Sequence, residues 1–484
     1  MGFESLNWID GRSTPAVSGR WLDNLDPATG KKFGLTAASD QRDVENAVQA
    51  AHRAFPVWSR MPARERSRIL RTWSALLEAD REEFAQLECV DTGKPLTLAR
   101  ELDIPRSVQN LEFFADAATQ SISESVGSEW SELHVVLRQP LGVVACISPW
   151  NLPLYLLTWK IAPALASGNC VVAKPSEVTP LTATRLAELS EKAGMPPGVF
   201  NLVHGLGGEV GPVLTQHPLV SAITFTGSTA TGKSIALGVA PLFKKVSLEM
   251  GGKNAAVVFA DADLDRAIPA LVRGAFRNQG QICLCGSRVL IEKSIYGEVR
   301  DRLVAETRKL RIGDPLEGTT DQGAIVSREQ FTKIMGYLNL AQAEGGRFLT
   351  GSTSPARVAG RCEGGNFVEP TWIEGLGPDC RVNREEIFGP VATLQSFEDE
   401  AEALALVNSS RYGLAASVWT RDLDRANRMA REIETGLVWI NAWMLRDLRT
   451  PFGGVKDSGL GREGGLEAMR FFTEPKTVSY GLRE

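Results

Sequence analysis

The amino-acid sequence predicts an α/β fold with two mostly parallel sheets, and two patterns along the chain indicate it. Between residues 140 and 250, short β-branched runs of strand length alternate with stretches of helical periodicity. After Gly252 the alternation starts again and continues to Ile440. Strands that alternate with helices form doubly wound sheets, which bind ligands at the carboxyl ends of their strands. Residues that directly follow a predicted strand are therefore the first candidates for chemistry.

The first series contains five predicted strands with helices between them. Run length and β-branching place the strands, whereas the helices follow from apolar spacing and from stop signals such as Gly194. The strands are Val143–Ile147, Cys170–Ala173, Phe200–Val203, Ala222–Phe225 and Lys245–Leu248, and the helices cover residues 154–166, 182–193, 209–215 and 227–236.

The second series has the same form. Pro269 lies inside its first helical pattern, and because proline removes a backbone donor, we expect that helix to start late or to kink there. Residues 120–139 and 477–481 are polar and strand-like, so they could be exposed edges that need a partner. The predicted strands begin at Val257 and cover 289–291, 391–395, 415–419 and 438–440, with helices over 261–277, 296–309, 398–408 and 423–433.

The composition is that of an ordinary globular protein and excludes several classes. The 484 residues are 43% apolar and 23% charged, which excludes a disordered or fibrous chain. A formal charge of −5 indicates neither a nucleic-acid partner nor an anionic membrane. Polar residues such as Lys160 and Asn169 break the most apolar stretch, so we expect no membrane span. The first residues resemble neither a signal peptide nor a myristoylation signal, because Leu6 lies where the latter has Ser or Thr.

The cysteines and histidines form no disulfide or metal pattern. Seven cysteines are an odd and sparse set for this length, which predicts reduced thiols in a cytoplasmic protein. The four histidines lie far apart, and the chain has no Cys-x-x-Cys and no His-x-x-His. We therefore expect no metal site.

Cys283 is the first candidate for chemistry. It lies in the segment Gly280–Arg288, where two glycines indicate a special turn that could present a thiol to a cleft. The alternative is that Cys283 is a packing residue, which is a frequent role of cysteine.

Two further candidates follow predicted strands. Glu249 ends the Lys245 strand before two glycines, where a carboxylate could act as a general base, although a solvated loop residue is the alternative. Asn151 follows the Val143 strand, where its amide could donate to an oxyanion or could cap a helix.

Three segments have the residue types of a nucleotide site. Lys174 and Glu177 follow the Cys170 strand and could bind ribose hydroxyls or phosphate. The segment Phe225–Gly232 begins a helix whose free backbone donors suit a phosphate. The run Gly205–Gly211 misses the Gly-x-Gly-x-x-Gly spacing by one residue, so alone it is a weak signal.

Together, these segments resemble the aldehyde dehydrogenases over essentially the whole chain. The motifs that carry the resemblance are Pro149–Asn151, Lys174–Glu177, Phe225–Ser228, Glu249–Asn254, Gly280–Cys283, Glu385–Pro390 and Pro451–Lys456.

This resemblance implies roles for individual residues. Cys283 is expected to be the nucleophile, Glu249 the general base, and Asn151 with the Cys283 backbone N–H the oxyanion hole. Cys285 has no role in the family pattern. The resemblance also implies NAD as the cofactor, since a carboxylate at Glu177 would repel a 2′-phosphate. The expected cofactor contacts are Ile147, Ser148, Pro149, Trp150, Lys174, Ser176, Glu177, Gly207, Gly211, Phe225, Gly227, Ser228, Thr231, Glu386 and Phe388.

The family fold has a Rossmann-type NAD-binding domain, an α/β catalytic domain and a small β bridging segment for oligomerisation. On this chain it implies an NAD-binding domain of residues 1–119 and 140–250 and a catalytic domain of residues 251–465. The bridging segment would comprise residues 120–139 and 466–484. The resemblance also implies a homodimer or homotetramer.

Two segments, Asp103–Asn110 and Asn441–Arg449, resemble a narrower branch of the family, as does Ile282–Cys285. This branch is the 2-aminomuconate and 2-hydroxymuconate 6-semialdehyde dehydrogenases, whose small-molecule substrates carry a carboxylate opposite the aldehyde. A guanidinium pairs well with a carboxylate, so we expect Arg106 and Arg446 to bind it. Tyr155, Trp159 and Trp443 would form the apolar wall. The alternative is that both arginines are surface residues or members of structural ion pairs. We expect Arg449 to be structural and to pair with Asp447.

Three other functions remain open at this stage. A thiol hydrolase would also need an activated cysteine, but no histidine is marked as its partner. A non-catalytic binding protein of the same fold would not need Cys283, Glu249 and Asn151. A general aliphatic or betaine aldehyde dehydrogenase would have no need of paired arginines.

Overall fold

The predicted nucleotide-type sheet is present and has eight strands. The structure is a computed structural model, and it describes residues 2–120, 123–128 and 132–481. The five central strands are parallel, and the chain leaves the first of them in one direction and later returns to its other side. The switch point lies between Val143–Ile147 and Val220–Thr226. In spatial order the strands are Gly459–Leu460, Lys245–Glu249, Val220–Thr226, Val143–Ile147, Cys170–Lys174, Phe200–Leu202, Asn7–Ile9 and Arg12–Thr14.

The second predicted sheet is also present and has seven strands. All of its strand pairs are parallel except the one made by the edge strand Arg347–Phe348. In spatial order the strands are Arg347–Phe348, Thr371–Glu374, Val391–Phe397, Arg288–Glu292, Ala255–Val258, Ala415–Trp419 and Leu437–Ile440. The predicted fold class, two α/β sheets with helices, is confirmed.

Helices surround both sheets. The α-helices are Gln41–Arg60, Ala63–Ala79, Arg81–Thr92, Leu96–Leu98, Ile104–Ala118, Pro153–Ala166, Leu181–Lys192, Gly207–Gln216, Thr229–Val239, Leu264–Phe276, Tyr296–Thr307, Arg328–Ala343, Arg381–Arg384, Glu400–Asn408, Leu423–Glu432 and Gly465–Phe471. A π-helical turn covers Ala99–Asp103, and 3₁₀ turns cover Ala240–Leu242, Arg277–Gly280, Lys293–Ile295 and Gly360–Cys362.

Local sequence explains the elements that border the switch point. Val143–Ile147 and Cys170–Lys174 are buried along their whole length, as expected for central strands covered on both faces. The helix Pro153–Ala166 begins with proline, whose missing N–H has no partner in a first turn. The helix Thr229–Val239 is capped by Ser228, whose hydroxyl accepts the N–H of Thr231. These caps place both helix starts beside the strand ends.

The two polar strand-like segments pair with each other. Thr473–Gly481 runs antiparallel to Glu132–Pro140, which in turn pairs with Ser125–Ser128. The predicted strand at 477–481 therefore begins four residues earlier, and residues 121–122, 129–131 and 482–484 of the predicted bridging segment lie outside the described residues. The predicted division into domains stays a prediction. Two smaller sheets are also present. One consists of the strands Phe3–Ser5, Lys32–Ala37 and Trp21–Leu25, and the other of Tyr412–Gly413 and Val455–Lys456.

The helix that contains Pro269 starts three residues later than the predicted residue 261, in line with the expected late start. The helix begins at Leu264, with the Asp263 carboxylate as its cap, and continues through Pro269 to Phe276. The carbonyl that Pro269 leaves without a helical partner belongs to Asp265 in the exposed first turn. Water can bind it there, so the helix tolerates the proline. None of the described helices is long and apolar enough to cross a membrane.

Candidate active site

A cavity of about 170 Å³ opens at the switch point of the eight-stranded sheet. It collects residues from five of the motifs that sequence analysis singled out, from both sheets and from the segment between them. The carboxyl ends of parallel strands at a switch point are the expected ligand site of such folds. The lining residues are Pro149, Trp150, Asn151, Leu156, Thr226, Gly227, Ser228, Met250, Gly251, Cys283, Gln330, Lys333, Glu386 and Phe388.

The loop that carries Cys283 is held in an unusual backbone conformation. Asn278 and Gln279 both have positive φ angles, of 54° and 53°. Gly280 follows with a φ of 67°, and a Cβ there would lie 2.1 Å from the carbonyl oxygen of Gly389. Only glycine can make this approach, so the chain turns sharply and Cys283 lines the cavity. The Asn254 side-chain amide then fixes the loop by donating to the Cys283 carbonyl at 2.7 Å.

The Cys283 thiol is protonated in this environment. Burial raises its pKa, and the negative charges of Glu386 and Glu249 raise it further, whereas Arg446 opposes them. A thiol of this kind needs a base before it can act as a nucleophile. Cys285 is buried, as expected of a packing residue.

Asn151 lies directly beside this loop. Its side-chain amide donates to the Gln281 carbonyl at 2.8 Å, and its own carbonyl accepts from the Asn278 side chain at 3.1 Å. The helix-cap alternative is not supported, because the helix that follows has Leu152 at its cap and no side-chain cap bond. The second amide hydrogen has no protein acceptor among the described residues, and neither has the Cys283 backbone N–H. Two donors near the thiol are thus available to an oxyanion.

Glu249 is buried at the end of its strand, and neither of its carboxylate oxygens has a hydrogen-bond partner among the described residues. The solvated-loop alternative is therefore wrong. Burial raises the pKa of Glu249, and the negative charge of Glu463 adds to that effect. Positive charges on Lys160, Arg462 and Arg446 oppose it. A carboxylate whose pKa is raised is a stronger base than an exposed carboxylate.

Glu463 and Lys160 form a buried ion pair close to Glu249. Lys160 Nζ lies 2.6 Å from Glu463 Oε1 and donates to the Thr224 hydroxyl at 3.1 Å. The other oxygen of Glu463 is buried without a partner in the described chain. Sequence analysis missed this pair, because Lys160 stood out only as a break in an apolar helix and Glu463 belonged to no motif.

Backbone donors and an aromatic pair form one wall of the cavity. The Gly227 N–H donates to the Glu249 carbonyl at 3.0 Å, and a Cβ on Gly227 would lie only 2.5 Å from the Phe225 ring. Phe225 itself is buried beneath this glycine. The rings of Trp150 and Phe388, which also line the cavity, pack edge to face at 5.2 Å.

Lys174 and Glu177 form a second cluster at the neighbouring strand end. Lys174 Nζ lies 2.9 Å from Glu177 Oε2, and the Gly207 N–H donates to Glu177 Oε1 at 3.1 Å. Burial would raise the pKa of Glu177, but the Lys174 charge and these hydrogen bonds hold it below its usual value. Glu177 is therefore a charged acceptor next to a helix start.

Glu386 closes the cavity from the second sheet. The Gly252 N–H donates to its Oε1 at 2.9 Å, and burial raises its pKa. A Cβ on Gly251 would lie 2.0 Å from Glu386 Oε2, so the glycine lets the carboxylate approach the backbone. Gln330 and Lys333 line the same end of the cavity. Sequence analysis missed both, since it named no element between residues 310 and 390.

The structure also describes the remaining predicted cofactor residues. Ile147 and Ser148 are buried at the end of their strand, and the Ser148 N–H donates to the Lys174 carbonyl at 3.1 Å. The Ser176 hydroxyl accepts the Val178 N–H, and Thr231 contacts the cap residue Ser228. A Cβ on Gly211 would meet no atom within 4 Å, so Gly211 has an open surface in front of it.

Arg106 and Arg446 are both without a carboxylate partner among the described residues. Arg106 projects from the helix Ile104–Ala118 with its guanidinium carbon 5.8 Å from the centre of the Tyr155 ring. Its Nε and Nη2 are buried and make no hydrogen bond to any residue that the structure describes. Arg446 lies over Phe452 at 4.0 Å and over Trp159 at 5.9 Å. The surface ion-pair alternative is thus not supported for either residue.

The other predicted residues of this region have clear places. Trp159 is buried beneath Arg446, and Trp443 donates its ring N–H to the Leu284 carbonyl at 3.0 Å, next to the Cys283 loop. Arg449 forms an exposed ion pair with Asp447 at 2.6 Å, as predicted.

Comparison with known proteins decides the family. The model of the aldehyde dehydrogenase family matches residues 14–478 of this chain. The chain belongs to the aldehyde dehydrogenase family. The predicted family resemblance is therefore confirmed, and with it the enzyme class.

Relatives of this aldehyde dehydrogenase match it from end to end. The 2-aminomuconic semialdehyde dehydrogenase of Mus musculus is 47% identical over 475 residues, which are 98% of this chain and 97% of the relative. The 2-hydroxymuconic semialdehyde dehydrogenase of Pseudomonas sp. strain CF600 is 44% identical over 99% of this chain and 100% of its own. An indole-3-acetaldehyde dehydrogenase solved with NAD+ superimposes with a TM-score of 0.97 at 37% identity, covering 100% of this chain and 97% of that one.

Proposed function

We propose that this aldehyde dehydrogenase uses NAD to oxidise a semialdehyde that carries a carboxylate, of the 2-aminomuconate or 2-hydroxymuconate 6-semialdehyde type formed by aromatic ring cleavage. The observation that carries the proposal is the pair of half-buried guanidiniums of Arg106 and Arg446, which form no hydrogen bond and no ion pair with the residues that the structure describes. Their N–H groups are therefore available to a ligand that carries a carboxylate. The names of the mouse and Pseudomonas relatives support the same substrate class.

The cavity and its neighbours have the donor set that a dinucleotide needs. The carboxylates of Glu177 and Glu386 can accept ribose hydroxyls, and Lys174 can donate to them. The start of the helix Thr229–Val239 offers free N–H groups to a pyrophosphate. Glycine at 227 leaves room there that a side chain would fill. When bound at this site, NAD supplies the acceptor for the hydride that leaves the substrate carbon.

Cys283 forms the covalent bond to the substrate. The Cys283 thiol first loses its proton to water in the cavity. The thiolate then adds to the aldehyde carbon, and the carbonyl oxygen becomes an alkoxide. The Asn151 amide and the Cys283 N–H, the two free donors beside the sulfur, stabilise that negative charge. After the hydride has left, the carbon is a thioester on Cys283.

Glu249 completes the reaction by removing a proton from water. The hydroxide adds to the thioester carbon, the Cys283 sulfur leaves, and the product is the carboxylic acid. Its buried carboxylate has no competing hydrogen-bond partner in the described chain, so both oxygens are free for water. The raised pKa makes Glu249 a stronger base than an exposed carboxylate.

Substrate choice is assigned to the arginines. The Arg446 guanidinium stacks on Phe452, which leaves its edge free for a bidentate carboxylate. Arg106 lies over Tyr155, which lines the predicted apolar wall together with Trp159 and Trp443. A chain with an aldehyde at one end and a carboxylate at the other can then be held at both ends.

The test compares two aldehydes of equal length, 2-hydroxymuconate 6-semialdehyde and an uncharged aliphatic aldehyde. Arg106→Ala and Arg446→Ala should each raise KM for the first by about tenfold or more, because a lost charged hydrogen bond costs about 1.5–3 kcal/mol. KM for the uncharged aldehyde should stay within about twofold. Arg449→Ala is the matched control, since its exposed ion pair with Asp447 should contribute little.

Equal effects on both aldehydes would overturn the proposal that Arg106 and Arg446 bind the substrate carboxylate, and would favour a general aliphatic or betaine aldehyde dehydrogenase.

The oligomeric state and the cellular compartment are part of the same proposal. The strands Thr473–Gly481 and Glu132–Pro140 are exposed along much of their length and would serve a homodimer or homotetramer. Seven free cysteines support a cytoplasmic location.

A further inference from the structure

We infer that the buried ion pair between Lys94 and Asp103 is a positioning unit for Arg106, and thereby for the choice of a carboxylate-bearing substrate; this rests on the proposed function. Neither residue belongs to the cavity or touches the reacting atoms. Four observations carry the inference: the backbone turn that holds Asp103, the burial of the pair, the helix that follows it and the unpartnered guanidinium at its start.

The helix that carries Arg106 follows a π-helical turn. Residues Ala99–Asp103 adopt this wider turn, and the N–H of Ile104 donates to the carbonyl of Ala99, five residues back. Such turns are uncommon, and they concentrate at functional sites because they change the direction in which the following side chains point. Arg106 comes three residues after this turn, so its direction depends on how the turn is held.

Asp103 holds the turn from within the protein. Its Oδ2 accepts from Lys94 Nζ, and both side chains are at most 1% exposed. Lys94 Nζ also lies 3.4 Å from Glu88 Oε1, on the preceding helix Arg81–Thr92. The Ser107 hydroxyl donates to the Asp103 carbonyl at 2.7 Å, which ties the turn to the first turn of the next helix. A fully buried pair of this kind is a rigid anchor, because breaking it leaves an uncompensated charge.

From that anchor the helix Ile104–Ala118 runs along the helix Pro153–Ala166. Asn110 donates its amide to the Tyr155 carbonyl and to the Thr158 hydroxyl, both at 3.0 Å. One turn later, Phe114 packs edge to face on Trp159 at 5.7 Å. Arg106, Asn110 and Phe114 are spaced by four residues, so they share one helix face. Asn110 and Phe114 fix this face in the C-terminal half of the helix, and Asp103 fixes it at the N-terminal end.

The N-terminal end of the helix Ile104–Ala118 determines the position of Arg106. The Arg106 guanidinium makes no hydrogen bond that would fix it directly, as its buried Nε and Nη2 have no partner in the described chain. Its place over Tyr155 therefore depends on the ring contact and on the position of the backbone that carries it. If the turn loosens, the guanidinium loses its orientation toward a substrate carboxylate, while the thiol and its donors on other segments are unaffected.

The test measures KM and kcat for the two aldehydes named above in Asp103→Asn and Lys94→Met. Each variant should raise KM for the carboxylate-bearing semialdehyde by about fivefold or more. KM and kcat for the uncharged aldehyde should change by less than about twofold. Asp91→Asn is the matched control, because it removes a buried carboxylate from the helix Arg81–Thr92 that accepts from Asn24 and from the Leu181 N–H and forms no ion pair with Lys94 among the described residues. It should show no difference between the two aldehydes.

A second variant covers the case in which the single changes prevent folding. Lys94→Met combined with Asp103→Leu replaces the ion pair by apolar side chains, which buried sites often tolerate. The same difference between the aldehydes should appear. If Arg106→Ala discriminates between the two aldehydes but the Lys94 and Asp103 variants do not, the positioning role is wrong and the proposed function stands. If Arg106→Ala does not discriminate either, the proposed function fails first.

Discussion

Asn151 donates its side-chain amide to the backbone carbonyl of Gln281, two residues before Cys283. This bond joins the end of a central strand in the first sheet to the loop that the second half of the chain contributes. It orients the Asn151 amide so that one hydrogen is bound and the other has no acceptor among the residues that the structure describes. The donor is thus held in place before any substrate arrives, which is the condition for effective stabilisation of an oxyanion.

Asn151→Ala should lower kcat by about 10²–10³-fold, because one oxyanion donor is lost. Steady-state turnover and thermal unfolding of the same preparation check this. A fall in the unfolding temperature with unchanged turnover would instead assign Asn151 a purely structural role in holding the Gln281 loop.

Cys283→Ala should abolish NAD reduction, because the thiol forms the covalent bond to the substrate. NAD binding should stay nearly unchanged, because Cys283 lines only one edge of the cavity. Turnover is measured at 340 nm and binding by calorimetry. Cys285→Ala is the matched control, since this buried cysteine two residues away should keep most of the activity. Appreciable turnover in Cys283→Ala would remove Cys283 as the nucleophile.

Glu249→Ala should slow hydrolysis of the thioester more than its formation. A burst of NADH should remain, and the acyl group should accumulate on Cys283, which mass spectrometry of the mixed sample would detect. A variant that gives neither the burst nor the adduct would show that Glu249 acts earlier, in deprotonating the thiol.

Glu463→Gln should move the acid limb of the pH–rate profile to lower pH. The Glu463 charge raises the pKa of Glu249, and its removal also frees the positive charge of Lys160, which lowers that pKa. The general base is the deprotonated form, so it then persists to lower pH. Glu467→Gln, an exposed carboxylate in an ion pair with Arg470, is the control and should leave the profile unchanged. A limb that stays in place or moves to higher pH would contradict the coupling.

Four of the site residues that sequence analysis predicted share one physical property: they lie where parallel strands of the first sheet end. Lys174 and Glu249 are the last residues of their strands, and Asn151 and Gly227 come shortly after theirs. Parallel strands bring their carboxyl ends to one edge. The strand pattern was strong enough to predict because these strands are buried on both faces and read as continuous apolar runs.

The parts that were missed depend on contacts between distant segments. Lys160 pairs with Glu463 across the packed interior, and no local pattern marks either residue as a partner of the other. Phe452 lies under Arg446 because the loop that follows the strand Leu437–Ile440 folds back and brings the two side chains together. The helix Arg328–Ala343, with Gln330 and Lys333, was not predicted at all, although its pattern of buried residues has a helical period.

The small sheet of Ser125–Ser128, Glu132–Pro140 and Thr473–Gly481 has a consequence for how the chain is made. The strand at 132–140 precedes the five central strands of the first large sheet and all strands of the second, yet its partner on one side is not completely synthesised until residue 481. During synthesis it presents an unpaired edge, the kind of surface that recruits other chains. When residues 473–481 leave the ribosome, they pair with this edge. The protein therefore completes this three-stranded sheet only after both of its large sheets can already have formed.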